Sequence, residues 1–276
     1  MSLIKIICIL LLCSFFLSCG SQKQDGPDAL TGNWLILYPD HRLKTYSERE
    51  VYGKYQDSLL SLYGLKLIAL ESNGHFREVD SVGAGAGKWI YGNDSLLKIQ
   101  EGGKGFNPFN ARFTSLENDT LQVTQYLPLE GERIKVVWHL KKIDEANSAA
   151  SLFSTTANDW RRKPSAPETP AAMRKRLASM LDYYGEYFLL VSKEAIYFSP
   201  ARVPLPFHYY QHAMGMKQQM NADFKRLFFN EQDAQQAFIL LEQAMTARTI
   251  AFPRGDNFVT EYGQFLKKLA DWMNKH

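Results

Sequence analysis

Two histidines four residues apart, His208 and His212, are the most obvious candidates for chemistry in this sequence. Residues four apart share one face of a helix, where two imidazoles can hold a metal ion together. No glutamate follows His208 as it does in zinc hydrolases, and Pro204 and Pro206 just before it disfavour a helix. We therefore expect His208 and His212 to lie in a surface or aromatic-packed loop, with no metal and no other cofactor.

Nucleophilic catalysis is not indicated either. The sequence contains no Gly-x-Ser-x-Gly elbow, and its six histidines lie in no catalytic motif. Two glycine-rich stretches, 83–87 and 102–109, are not followed by a helix that carries Lys and Ser or Thr, which excludes a phosphate-binding loop. We expect both stretches to be hairpin tips and the protein not to be an enzyme.

The cysteines indicate a different kind of chemistry, because all three lie within the first 19 residues. Lys5, the apolar run 6–17 and Ser18 have the basic, apolar and small-residue order of a secretory signal. The run is shorter than the roughly 20 apolar residues of a membrane-spanning helix. An exported chain without other thiols forms no disulfides, so Cys19 stays an unpaired thiol unless another covalent group occupies it.

Residues 16–19, Phe-Leu-Ser-Cys, resemble the bacterial lipobox, in which an apolar and a small residue precede the lipidated cysteine. Leu17 lies one place closer to the cysteine than in the commonest pattern. The resemblance implies that residues 1–18 are a removed signal peptide, that diacylglycerol on Cys19 binds a membrane, and that the polar stretch 19–29 is a flexible tether. An ordinary secretory cleavage site is the alternative.

Charge and composition limit the partners. The chain has 32 Lys and Arg against 29 Asp and Glu, a near balance that argues against nucleic acid as a partner. Its 45% hydrophobic residues suffice for one large core or two ordinary ones. Together with the signal, these features predict a protein of the bacterial cell envelope, lipid-anchored to the outer membrane on its periplasmic or surface face.

The pattern of apolar residues changes along the chain and divides it into two predicted domains. Residues 30–143 form short alternating runs separated by Gly, Asn and Asp, whereas 169–276 are mostly helical in pattern. The stretch between them, 144–168, is rich in Ala, Ser, Thr and Pro and is predicted to be a linker or an irregular strap.

The first domain is predicted to be an antiparallel β-barrel or sandwich of about eight strands. The strands are expected at 33–38, 64–71, 75–82, 87–92, 95–101, 111–116, 120–126 and 133–142. Alternation is clearest at Leu65, Leu67 and Ala69 and in the last strand, and one face of each strand is expected to point inward. Between the first two strands, Ser47 and Glu50 have capping-box spacing, which predicts a helix that covers one barrel mouth.

Residues 30–34, Leu-Thr-Gly-Asn-Trp, are similar to the Leu-x-Gly-x-Trp opening of lipocalins, and 87–89 repeat the pairing of Gly and Trp. The order of elements resembles the lipocalin-like domains of Bacteroidota lipoproteins. In that family the glycine permits close approach and the tryptophan closes one end of the barrel. The resemblance implies a site for a small apolar molecule. The residues expected to line or cap this site are Trp34, Trp89, Phe106, Phe109 and Trp138.

The second domain is predicted to be mainly α or α+β. Thr169 and Pro170 have the residue types of a helix start, and Asn230 is suited to cap a later helix. Further amphipathic helices are expected over 216–228 and from 257 onward. Two short strands, 195–199 and 249–252, are expected between the helices.

Three functions remain open from the sequence. The first is a membrane-tethered protein that binds a small apolar ligand or a partner protein. The second is an envelope structural or assembly factor whose barrel is filled by its own side chains. The third is a hydrolase, which would require His208 or His212 to lie beside a carboxylate in a pocket.

Overall fold

In a computed structural model of the chain, two units are compact, Met1–Leu30 and Thr31–His276. The residues that the structure describes are 27–37, 54, 67–79, 84–92, 95–100, 110–117, 120–129, 131–143, 152–153, 155–193, 205–207, 219–247, 250–253 and 257–276. In the first unit they form one short helix, α1 (Pro27–Leu30). Within these ranges, none of the helices combines the length and hydropathy needed to cross a bilayer.

The second unit begins with eight antiparallel strands. They are β1 (Gly32–Leu37), β2 (Leu67–Leu70), β3 (His75–Val79), β4 (Ala84–Gly92), β5 (Ser95–Gln100), β6 (Asn110–Glu117), β7 (Thr120–Leu129) and β8 (Glu132–Ile143). Each strand pairs with the next along the chain, and β8 also pairs with β1. The predicted antiparallel β-structure followed by helices, an α+β combination, is confirmed.

Turn chemistry sets the register of the hairpin between β2 and β3. Gly74 has φ of +81°, and the backbone N–H of His75 donates to the Asn73 side chain at 2.9 Å. Positive φ favours glycine, and an Asn side chain stabilises such a turn. Residues 72–74, Ser-Asn-Gly, thus form a turn of the kind expected where Gly, Asn and Asp separate the alternating runs.

The sheet has two faces, which its register separates. One, the Trp34 face, carries Trp34, Ile68, Leu70, Phe76, Glu78, Gly85, Gly87, Trp89, Leu121, Val136, Leu140 and Lys142. The other, the helix-covered face, carries Leu35, Leu67, Ala69, Val79 and Ile143, and these five join one contiguous group of buried apolar residues with the helices. Strand β2 is consequently buried on both faces.

This arrangement corrects the predicted orientation of β2. Leu67 and Ala69, which the alternation placed inward with the other apolar faces, lie opposite to Trp34 and pack with the helices. Their neighbours Ile68 and Leu70 share the face of Trp34. Alternation alone cannot assign a strand that is apolar on both sides, because either face then satisfies the pattern.

The remainder of the second unit is helical. Its helices are α2 (Thr155–Asn158), a 3-10 helix (Asp159–Arg161), α3 (Pro170–Lys193), α4 (Ala222–Arg226), α5 (Glu231–Thr246) and α6 (Phe258–Lys275). The predicted caps are present: the Thr169 hydroxyl accepts from the N–H of Ala172 at 3.2 Å, and the Asn230 side chain accepts from that of Asp233 at 2.8 Å. Both caps satisfy N–H groups that the first turn leaves without intrahelical partners.

Helices α3 and α6 approach closely at a pair of glycines. A Cβ atom on Gly185 would lie 3.0 Å from the carbonyl oxygen of Gly263, and one on Gly263 would lie 3.0 Å from that of Gly185. Beside this contact, Lys267 bonds to Asp182 and Glu186. Partial burial by itself lowers the pKa of Lys267, but the two carboxylate contacts outweigh it and raise the pKa overall.

One predicted strand is wrong over its described part. Residues 250–253, within and just beyond the expected strand 249–252, are irregular, and the N–H of Ile250 donates to the Ala247 carbonyl at 3.1 Å. Phe252 contacts Phe265 of α6, with ring centroids 4.9 Å apart. Apolar residues that pack irregularly on a helix resemble a short buried strand in sequence.

Several other predictions fall outside the described residues. They concern the helix over 47–62 except Lys54, the tip 102–109, the strand 195–199 and the first part of the helix 216–228. The stretch 144–168, predicted to be a linker or strap, contains α2 and the 3-10 helix. Its residues Leu152, Phe153 and Trp160 belong to the same buried group as the helices.

Candidate functional site

At one end of the Trp34 face, Trp34 lies together with Gly32 and Lys142. The Trp34 side chain is fully buried, and the Lys142 ammonium lies 5.6 Å from its ring centroid. A Cβ atom on Gly32 would lie 2.7 Å from Cε of Lys142, and Gly32 has φ of +134°. A side chain at position 32 would therefore meet both a strained backbone and the lysine that covers the tryptophan.

A row of residues in register runs across four strands from this tryptophan. Trp34 pairs with Ile68, Ile68 with Glu78, and Glu78 with Gly85. Glu78 is only 2% exposed, and in the part of the sheet that the structure describes it is the one buried charged residue. Carboxylates are seldom buried because burial disfavours the charged form. Glu78 is therefore an unusual polar residue between Ile68 and Gly85.

A second, parallel row ends in another glycine. Gly32 pairs with Leu70, Leu70 with Phe76, and Phe76 with Gly87. Strand β4 therefore presents Gly85 and Gly87 at two successive positions of the Trp34 face, opposite Glu78 and Phe76. Glycine in a strand interior adds no side chain to the packing, which leaves space for another group to approach the backbone.

Trp89 is the next residue of β4 on this face, and it makes two hydrogen bonds to the β2–β3 hairpin. Its indole Nε1 donates to the Glu71 carbonyl at 2.9 Å, and its backbone N–H donates to the Gly74 carbonyl at 2.8 Å. The ring is 7% exposed. Trp89 thus orders the sheet at the end where Trp34 lies.

The structure brings part of the predicted site together. Trp34 and Trp89 lie on the same face, and by register with Val123 the backbone of Trp138 places it there too. The Trp138 side chain and the whole of Phe106 and Phe109 lie outside the described residues. So do the lipidation candidate Cys19 and the metal candidates His208 and His212.

Sequence reasoning missed Glu78, Lys142 and the paired glycines. In the run Phe76-Arg77-Glu78-Val79 two charged residues stand side by side, so the pattern does not reveal which one is buried. Arg77 is the exposed member and bonds to Glu71 at 2.8 Å. The prediction that 83–87 form a hairpin tip is wrong for Gly85 and Gly87, because both lie within β4, and strand pairing places them on the Trp34 face.

No protein-family model matches this chain, and no curated protein or solved structure matches it significantly. Among the residues that the structure describes, no group of three or more His, Cys, Asp or Glu side chains is placed to hold a metal ion. The face offers apolar side chains, a glycine-lined strand and one buried carboxylate, a combination suited to binding a mostly apolar molecule.

Proposed function

We propose that this protein is a membrane-anchored lipoprotein whose eight strands form a lipocalin-like barrel that binds a small apolar ligand. Diacylglycerol on Cys19 holds it at the cell envelope, and the polar stretch 19–29 is the tether. The pairing of β1 with β8, in addition to the pairing of each strand with the next, supports a barrel. Eight strands enclose an interior that is either filled by side chains or holds one small ligand.

The observation that carries this proposal is the pair of glycines on β4. Gly85 and Gly87 lie in register with Glu78 and Phe76, which makes β4 the one wall of these two rows without side chains. At the Trp34 end, the buried side chains of Trp34, Ile68 and Phe76 fill the part of the interior that lies next to β1, β2 and β3. The ligand therefore lies against β4, beside Gly85 and Gly87.

Burial of apolar surface supplies the affinity. Each CH₂ group removed from water contributes roughly 0.8 kcal/mol, so after a loss of about 4 kcal/mol on immobilisation a chain of about 15 carbons gives micromolar binding.

Filling the glycine-lined space tests the ligand site. The full chain is titrated with cis-parinaric acid, a fatty acid that fluoresces in apolar surroundings, in three forms: wild type, Gly87→Leu and Ala86→Leu. Position 86 is exposed on the opposite face of the same strand and provides the matched control. We expect saturable uptake by the wild type and by Ala86→Leu, and at least tenfold weaker binding by Gly87→Leu. Equal binding by all three, or none by the wild type, would contradict the ligand site and favour a filled barrel that acts through protein contacts.

The anchor is tested separately with Cys19→Ser. Cells that express the wild type or the variant are fed a clickable fatty acid and fractionated. We expect label and membrane association for the wild type only. A variant that still acquires label and stays with the envelope would overturn the lipid anchor and leave the ligand result untouched.

A further inference from the structure

Beside α3, the 3-10 helix carries buried side-chain donors that have no hydrogen-bond acceptor among the described residues. They are the indole Nε1 of Trp160, a residue that is only 3% exposed, and both terminal nitrogens of Arg161. Only Nε of Arg161 has a partner among the residues that the structure describes, the side-chain oxygen of Asn158 at 2.9 Å. Buried donors of this kind are rare because a buried guanidinium without an acceptor is strongly destabilising.

Arg176, close by, shows how a guanidinium in this region is normally satisfied. Its Nε donates to both carboxylate oxygens of Glu168 at 2.9 Å, and one terminal nitrogen donates to the carbonyls of Trp160 and Arg162 at 2.8 and 2.7 Å. The Arg176 and Glu168 side chains are only 15% and 12% exposed. Glu168 is therefore committed to Arg176, and it does not balance the charge of Arg161.

Among the described residues, aromatic rings and not a carboxylate hold Arg161 in place. The carbon at the centre of its guanidinium lies 4.4 Å from the ring centroid of Trp160 and 4.7 Å from that of Tyr183. Trp160, Tyr183 and Tyr184 contact one another, with centroids 5.4 to 5.6 Å apart. Cation–π contacts fix the plane of the guanidinium but leave its N–H groups directed outward from its edge.

The backbone around Arg161 is fixed as well. The Asn158 side chain, 7% exposed, donates to the Leu152 carbonyl at 2.8 Å while its oxygen accepts from Arg161. Arg176 binds the carbonyls that flank Arg161 on either side. The donors are thus preorganised, which lowers the entropic cost of binding a ligand there.

We propose that Arg161 and Trp160 form a binding site for a carboxylate. The forked N–H groups of a guanidinium match the two oxygens of a carboxylate, and the indole N–H offers a further donor. One uncompensated positive charge is balanced by one negative charge. Phosphate, which carries nearly two charges at neutral pH, would bring a second charge without a counterion into an aromatic environment.

Two sources of this carboxylate are distinguishable: a small free acid and the carboxyl terminus of a partner protein. The thermal unfolding midpoint of the full chain is measured in HEPES with increasing sodium acetate, and sodium fluoride maintains the ionic strength. A second series uses N-acetyl-diglycine and its amide. We expect acetate or the free peptide acid, but not the amide, to raise the midpoint by ~3 to 6 °C at ten times its dissociation constant. The more effective of the two acids identifies the source.

Variants locate the effect. Arg161→Met is expected to abolish the carboxylate-dependent rise, and Arg162→Met, at a neighbouring side chain that is 82% exposed, to retain it. Should Arg161→Met fail to fold, Trp160→Phe keeps the aromatic ring and removes the N–H, and we expect it to bind ~10-fold more weakly. The proposal is overturned if neither acid exceeds fluoride, or if Arg161→Met or Trp160→Phe responds as strongly as the wild type.

Discussion

The two faces of the sheet differ in what covers them. On the helix-covered face, Leu35, Leu67 and Val79 share one buried core with α3, α5 and α6. A change in the size of any of these side chains would therefore disturb the packing of the helices. On the Trp34 face, the buried residues Trp34, Ile68 and Phe76 lie outside that core. The difference teaches that the helices stabilise the sheet through one face, whereas the buried residues of the other face pack outside the core that the helices share.

Neighbouring positions of β2 provide the largest expected effect. Leu67→Ala and Ile68→Ala each remove a large buried side chain, and each is expected to lower the free energy of unfolding by ~2–5 kcal/mol in urea titrations. We expect Ile68→Ala also to change the affinity for cis-parinaric acid, because Ile68 lies beside Trp34 and Glu78. Leu67→Ala should leave that affinity unchanged.

The same titrations test whether the helix-covered face joins sheet and helices. Tryptophan fluorescence and far-ultraviolet circular dichroism should give one coincident transition for the wild type, because a shared core unfolds cooperatively. Two separate transitions, with Leu67→Ala shifting only one of them, would contradict the shared core.

The next largest loss of stability is expected from a substitution at Gly32. Because Gly32 has φ of +134° and an added Cβ would lie 2.7 Å from Cε of Lys142, Gly32→Ala should cost ~1–3 kcal/mol in urea titrations. Gly131→Ala is the control, because Gly131 has φ of +83° but nothing within 4 Å of an added Cβ. We expect the smaller loss at position 131. In a Lys142→Ala background, Gly32→Ala should cost less, because the clash with the lysine is gone and only the strain of the positive φ remains. Equal losses of stability with and without Lys142 would exclude a steric contribution from the lysine.

The helical region should lose stability in alkali. Burial raises the pKa of Tyr187 well above 10.0, with further increases from Tyr183 and Tyr184, and burial alone raises that of Tyr262. A raised folded-state pKa means that the contribution to stability is complete below pH 10 and is lost above it, by up to ~1.4 kcal/mol per pH unit for each phenol. Tyr262→Phe should flatten the fall measured from pH 10 to 11, and Tyr126→Phe, at an exposed position, should not.

The smallest effect is expected at a cap of the helical region. Asn230→Ala removes the 2.8 Å bond to the N–H of Asp233 and should cost ~1 kcal/mol, with binding of cis-parinaric acid unchanged. The nearby exposed substitution Gln235→Ala is the control. A changed affinity for cis-parinaric acid would show that binding at the Trp34 face depends on the stability of the helices, although the buried residues of that face lie outside the core that the helices share.

Local sequence signals predicted the elements well. Turn residues at 72–74, the caps Thr169 and Asn230, and alternation placed strands and helices because these signals act over a few residues. Which face of β2 the helices cover depends on residues distant in sequence, so Leu67 was assigned to the wrong face.

The same limit applies to the two candidate sites. Glu78 resembles a solvent-exposed strand residue until its pairing with Ile68 and Gly85 is known. Arg161 stands in a basic run with Arg162 and Lys163 that is typical of a solvated surface. Only the packing of Trp160 and Tyr183 on the guanidinium distinguishes it from its neighbours.

Native mass spectrometry of the full chain, purified in mild detergent from the cells that make it, tests the central claim most directly. The account predicts one small apolar molecule per chain, released by organic solvent and much reduced in Gly87→Leu but not in Ala86→Leu. A chain that carries no such molecule, and takes none up from a lipid extract, would contradict a ligand-binding Trp34 face.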